Sequence, residues 1–356
     1  MTDPHHHNKA AVRALCRQLY NFDEQAVRQK LDQLLAAEAV CHFGYPVGDI
    51  AAPQLYDEVF APLAAALPDM ERRDLICIAG SDHMGQDWVG CAGYYLGRFM
   101  APFRGIPPTG QIAHLRFHEF FRFDEGRIVE IQAVWDLPDL MMQAGVWPMG
   151  PSLGREWHVP GPASQDGLNV AADTPEQTAA SCQHVVDMLT AMQRYPEQGG
   201  PEVMELDKYW HPHFSWYGPS GIGSSRGVDG FRRWHQTPFL NAMPDRGHYP
   251  EDTTLHFFAE GPYVAVTGWP NMAQTLTSGG WLGIAPTKQK ITLRSLDFWR
   301  LEDGLIRENW VLVDLLDVWA QLGVDVLARM TQLASAQPGY TALVHNQACT
   351  SQEAVG

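Results

Sequence analysis

GIPPTGQIAHLRFHEFFRFDEGRIVEIQAVWDLPDLMMQAG, residues Gly105–Gly145, returns as GIAPTKQKITLRSLDFWRLEDGLIRENWVLVDLLDVWAQLG at Gly283–Gly323. Laid together without a gap, the copies agree at 17 of 41 positions, among them Arg116/Arg294, Phe120/Phe298, Arg122/Arg300, Glu130/Glu308 and Asp136/Asp314. A repeat of that length is a whole domain rather than a solenoid unit. The 356 residues also amount to about two domains, each large enough for its own core.

Upstream of the first copy, Val12, Leu15, Cys16 and Leu19, then Val27, Leu31, Leu34 and Leu35, follow helical spacing. HFGYPVGD (His42–Asp49) reads as an aromatic turn, and Gln54–Leu67 as a helix ending at Pro68-Asp69. The second half repeats that order with SWYGPSG (Ser215–Gly221), Gly227–Met243 and Pro244-Asp245. Leu75–Ala79 and Trp88–Tyr95 have strand patterns. Each half is therefore helices first and an antiparallel sheet second, an α+β pattern. The expected division is domain 1 at 9–146, a Pro/Gly-rich linker at 147–172, domain 2 at 173–333 and a weakly ordered tail at 334–356. Thr174-Pro175-Glu176-Gln177 ends the linker with a capping box. Met1–Asn8, with His5, His6 and His7, reads as a disordered tail.

A net charge of -16 repels nucleic acid and anionic lipid, so neither is an expected partner. No run reaches the apolar length of a membrane helix. The six cysteines lack metal-ligand spacing and read as reduced thiols of a cytoplasmic protein. No metal and no cofactor are expected.

Side chains two apart share a strand face. Over His114–Phe123 one face is Leu115, Phe117, Glu119, Phe121 and Phe123, a single acid among apolar neighbours; its copy is Leu293, Ser295, Asp297, Trp299 and Leu301. Burial raises the pKa of such a carboxyl, which suits a general acid or base. Pairing with an arginine, a tryptophan N–H or backbone amides instead makes the same acid structural. Both readings stand at this point for Glu119 and Asp297.

From Gly105-Ile106-Pro107-Pro108-Thr109-Gly110 through FRFDEGRIVE to Asp136, the stretch resembles the SnoaL-like polyketide cyclase family, a branch of the nuclear-transport-factor-2-like folds. The resemblance covers both halves. It implies two cone-shaped domains, each with helices closing one side of a curved sheet around a ligand cavity, and cofactor-free acid/base chemistry. The pocket histidine of the cyclases falls on Glu119 and Asp297. Their catalytic aspartate falls on Ala133 and Val311, neither of which can move a proton, so the cyclase mechanism does not transfer as it stands.

The remaining candidates gather in the second half: Trp216, Tyr217, Trp269, Trp299 and Trp310 as ligand-binding aromatics beside Asp297, with Phe117 and Phe121 as their counterparts around Glu119. His235 and Asp245 are further acid/base candidates. Asp136 and Asp314 read as helix N-caps, His211 and His213 as a loop or core pair, and Ser81-Asp82-His83 as a solvated hairpin. No GxSxG elbow supports a serine hydrolase. The opposite strand face, Arg116, Phe120 and Arg122 with Arg294, Phe298 and Arg300, is expected to pair the domains as an intrachain pseudo-dimer, with a homodimer possible. The expectation is thus a cofactor-independent enzyme of cyclase, isomerase, lyase or hydrolase type acting on a small carbonyl metabolite. The alternative is a non-catalytic small-molecule binding protein.

Overall fold

A computed structural model describes residues 4–171 and 174–336. The first half runs α1 (Pro4–Tyr20), α2 (Glu24–Leu34), β1 (Leu35–Phe43), β2 (Gly48–Ala51), α3 (Ala61–Ala66), β3 (Glu71–Ser81), β4 (Asp87–Arg98), β5 (Ile112–Asp124), β6 (Arg127–Trp135) and α4 (Leu137–Gln143). The second runs α5 (Pro175–Met192), β7 (Trp210–Tyr217), β8 (Ser225–Arg226), α6 (Gly227–Phe231), α7 (Thr237–Ala242), β9 (His256–Glu260), β10 (Tyr263–Thr267), β11 (Met272–Thr275), β12 (Lys290–Leu293), β13 (Ser295–Glu302), β14 (Leu305–Val313), α8 (Leu315–Gln321) and α9 (Val326–Ala336).

The two halves form six-stranded sheets of the same order, β2-β1-β6-β5-β4-β3 and β8-β7-β14-β13-β10-β9. Both are mixed rather than purely antiparallel: β1 runs parallel to β6, and β7 parallel to β14. Each of these first strands returns to the sheet only through the rest of its domain, and such a long connection permits parallel pairing. In the second half the sheet splits, because the chain leaves it at Arg294 and β11–β12 forms a separate ribbon.

One face of each sheet packs on its own helices and the other on the opposite sheet. Across that seam Phe120 stacks on Phe298 with centroids 5.0 Å apart, and His118 donates from Nδ1 to the Leu296 carbonyl at 2.5 Å. Gly90 lets the rings pack closely there: a Cβ would come within 3.0 Å of Phe298 and 3.1 Å of Phe120, so those rings would have to shift. The arginines of the repeat find carboxylates on the neighbouring strand, Arg122 with Glu130 at 2.8 Å and Arg300 with Glu308 at 2.6 Å, each pair directly opposite in register.

The N-caps are used twice over. Asp136 accepts from Asp139 N at the start of α4 and from Ser220 N of the other domain; Asp314 accepts from Asp317 N at the start of α8 and from Tyr45 N of the first domain. Each domain thereby clasps the aromatic turn of the other. Burial pushes both carboxyls up to about 6, against Arg116 and Arg294, which favour the charged form.

Three local expectations are corrected. Helix α1 begins at Pro4, so His5–Asn8 are helical, with His5 Nε2 2.9 Å from Ser81 Oγ. Asp82 is buried, not solvated: it accepts from His256 Nδ1 at 2.7 Å and from Trp88 Nε1 at 3.2 Å. Pro/Gly composition hid the order of 147–171, where Val159 O receives Tyr94 OH, Pro160 O receives Trp310 Nε1 and Gly167 O receives Cys77 N. The linker is a strap along the seam. Beyond Ala336 the expected tail lies outside the described residues, and 334–336 belong to α9.

Candidate functional site

Two of the substitutions between the copies bear directly on the interior. Phe117 and Trp135 of domain 1 correspond to Ser295 and Val313 of domain 2. In domain 1 the aromatic rings fill the space around Glu119: Tyr95 packs against Phe117 and Trp135 with centroids 4.9 and 5.3 Å away. In domain 2 the smaller residues leave a cavity of about 300 Å³, lined by both Ser295 and Val313. That is the low end of ligand-pocket volumes.

Its walls come from four directions. Strand β13 offers Ser295, Asp297 and Trp299, and β14 offers Val313, Val311 and Asn309 directly opposite them. The helical segment α6–α7 is interrupted by a π-helical turn, Arg232–Gln236. Pro238 has no N–H and its ring crowds the carbonyl four residues back, and the wider turn, closed by Thr237 N to Arg232 O, accommodates it. The same device precedes Pro62, where Ala61 N bonds Tyr56 O. In domain 2 it carries His235 onto the cavity wall, stacked on Trp216 with centroids 4.0 Å apart and 14° between planes. The fourth wall is the loop carrying Arg246, which sequence reasoning passed over.

Among the described residues Asp297 is the only carboxylate in the lining and Arg246 the only guanidinium. Burial drives Asp297 up to about 7, against a 2.6 Å hydrogen bond donated by Ser295 Oγ and the more distant positive charge of Arg246. Asn271 fixes Ser295 by bonding both its backbone N and its carbonyl. Burial likewise lowers Arg246 from its ordinary value, with Asp297 opposing. His235 is pushed down to about 3, by burial and then by Arg246, and is a neutral imidazole. His235 Nδ1, the indole N–H groups of Trp210, Trp281 and Trp299 and the amide of Gln236 are buried on this lining without a protein partner among the described residues. Buried polar groups normally have one, so these groups are available to bond whatever enters the cavity.

The other sequence candidates lie elsewhere. Glu119 is sealed: Arg72 Nη1 is 2.5 Å away, Trp135 Nε1 2.9 Å and Tyr95 OH 3.1 Å, with the Arg72 guanidinium over the Phe117 ring. Phe121 is core. Asp245 is not in the cavity lining; it accepts from Thr275 N at 2.8 Å and Tyr249 OH at 3.0 Å, and these bonds outweigh burial and lower its pKa. It anchors the Arg246 loop. Tyr217 and Trp310 face the seam, Tyr217 OH reaching Glu308 at 3.3 Å. Trp269 stacks on His42 and under Arg294 at the same seam. Register explains the error: Trp310 pairs with Phe298, whereas the cavity face of β14 is Asn309, Val311 and Val313. His211 and His213 sit at the start of β7, His213 N donating to His211 Nδ1.

Fold and site define a tandem pair of nuclear-transport-factor-2-like cones, one filled and one hollow. The chain belongs to the SnoaL-like polyketide cyclase family, which matches residues 13–144 and 187–322. Similar solved structures include TsrD from Streptomyces laurentii (23% identity, 40% of this chain and 96% of that one, TM-score 0.32). Others are IdmH from Streptomyces antibioticus (20%, 39% and 98%, 0.32) and an NTF2-like protein from Burkholderia xenovorans LB400 (19%, 43% and 97%, 0.30). No curated protein matches the chain.

Proposed function

We propose that domain 2 is a cofactor-independent acid/base site acting on a small, partly apolar carbonyl metabolite. One observation carries this: among the described residues the aromatic cavity is lined by a single carboxyl, Asp297, which burial raises to about 7, and by a single guanidinium, Arg246. At neutral pH Asp297 is poised both to take a proton and to return it. The carboxylate would remove a proton from the carbon beside a carbonyl; the C–H electron pair would move into an enolate whose oxygen Arg246 stabilises. Protonation of the enolate elsewhere gives an isomerase. Attack of its carbon on a second carbonyl of the same molecule, with the Asp297 proton passing to the new alkoxide, gives a cyclase. His235, neutral, would hold the substrate by a ring nitrogen, and Trp216 and Trp299 would flank it.

A second reading is favoured by Ala133 and Val311, which stand where the family's catalytic aspartate is expected: a small-molecule binding protein that kept the cone. Exchange of the α-hydrogens of cyclic monoketones in deuterium oxide, followed by NMR, separates the two. Exchange accelerated by the protein and lost in Asp297→Asn supports the enzyme. Saturable quenching of tryptophan fluorescence without exchange supports the binder.

We also read the domain pair as an internal pseudo-dimer, supported by the stacked Phe120 and Phe298 and the reciprocal aspartate clasps. The free, largely buried thiols Cys16, Cys41, Cys77 and Cys91 fit a cytoplasmic setting.

A further inference from the structure

The cavity of domain 2 shares part of its wall with a second concavity. Val186, Leu255 and Phe257 line it and also line a groove of about 1450 Å³ between α1 and α5. One wall of the groove is α5, through Thr178, Cys182 and Val186. The other is α1 of domain 1, the domain with the filled core, and it presents Lys9, Arg13 and Arg17 four residues apart on a single helix face. The acids in the lining are already engaged: Asp82 by His256 and Trp88, Glu260 by Lys9 at 2.7 Å and by Ala79 N. His5, His6, His83 and the Cys182 thiol complete its ionisable groups. Arg13 is held by the neutral acceptors Leu168 O and Asn169 Oδ1, at 3.2 and 3.3 Å. Arg17 is exposed, and neither arginine meets a carboxylate among the described residues. In a chain of net charge -16, two guanidiniums without a carboxylate partner among the described residues, in a groove adjoining the cavity, are a local concentration of positive charge.

We propose that this groove is the outer subsite of the domain 2 cavity and takes an anionic group, a carboxylate or phosphate, at the end of a chain whose carbonyl-bearing part fills the cavity. The inference rests on the cavity being a ligand site, and it gives the filled domain a part in binding. Guanidinium suits either anion, because its planar fork matches both geometries.

The test uses the full chain and three probe series of increasing chain length: ω-naphthylalkanoic acids, their methyl esters and the corresponding alkyl phosphates. Binding is read from quenching of tryptophan fluorescence. Beyond a threshold length the anions should bind about three- to tenfold tighter than the esters, and added salt should shrink the gap. The larger of the carboxylate and phosphate gaps identifies the anion. Arg13→Gln/Arg17→Gln should close the gap and leave ester affinity unchanged. Arg17→Gln alone, at an exposed side chain with no hydrogen bond or ion pair among the described residues, should close part of it even if Arg13→Gln loosens the strap. An anion advantage absent at every length, or one that survives the double variant and disappears in Arg246→Gln, overturns the groove inference while leaving the cavity reading intact. Failure of esters and anions alike overturns both.

Discussion

Replacing Asp297 by Asn should make the protein more stable at alkaline pH, because the native carboxylate is costly where it sits. Its carboxyl rises from 3.8 to about 7 on folding. A group raised in this way contributes stability that is complete below its unfolded value and is lost as pH rises through the folded one, because the native state holds the proton longer. At about 1.4 kcal/mol per tenfold, the full displacement is a ceiling of about 4 kcal/mol. Asp297 lines the cavity, where water can meet part of the carboxylate, and we take half the ceiling, about 2 kcal/mol. Asn keeps an oxygen for the Ser295 hydroxyl but cannot ionise, so its other effects are independent of pH. Urea midpoints for both proteins between about pH 5 and about pH 8.5 read the difference directly. The variant should gain on the native protein across that window by about 1 kcal/mol, because the part of the displacement between 3.8 and pH 5 lies below it. A flat difference, or a native protein that gains as pH rises, would refute the buried, near-neutral carboxyl on which the acid/base proposal stands.

Three further outcomes follow from the geometry. Glu119→Gln removes one of the two carboxylates facing buried Arg72 and leaves Asp74 at 2.9 Å; it should cost about 1–3 kcal/mol in urea unfolding, while ligand binding in domain 2 is unchanged at low denaturant. Val313→Trp installs the indole that domain 1 carries at the same place and should abolish tryptophan quenching by cavity ligands, with the circular dichroism of the fold retained. Asp314→Ala removes the α8 cap, the bond to Tyr45 N and the partner of Arg294. It should lower the unfolding midpoint by the equivalent of about 2 kcal/mol, whereas Asp317→Ala should cost less.

Duplication made the fold legible. Paired Arg122/Glu130 and Arg300/Glu308 lie opposite each other because the repeat preserves strand register, and Asp136 and Asp314 precede their short helices in both copies. Alternation along β13 was enough to put Asp297 on an apolar face. The difference between the two cones was also written in the repeat, since Phe117 becomes Ser295 and Trp135 becomes Val313, a loss of two aromatic rings. Arg246 could not be found this way. It reaches the cavity through an irregular loop held by Asp245 hydrogen bonds to Thr275 and Tyr249, and no period encodes such a loop. Tryptophan abundance misled for a related reason: Tyr217, Trp269 and Trp310 serve the seam between sheets, a second apolar environment that composition cannot tell from a pocket.

The reciprocal clasps of Asp136 on Ser220 and Asp314 on Tyr45 join two surfaces that are alike but encoded separately. Two copies of one shorter chain would carry every substitution twice, so a plug that filled one cone would fill both. Within a single chain that symmetry is no longer enforced. One half is free to close its interior around an arginine–glutamate pair and become a rigid platform, while the other stays hollow.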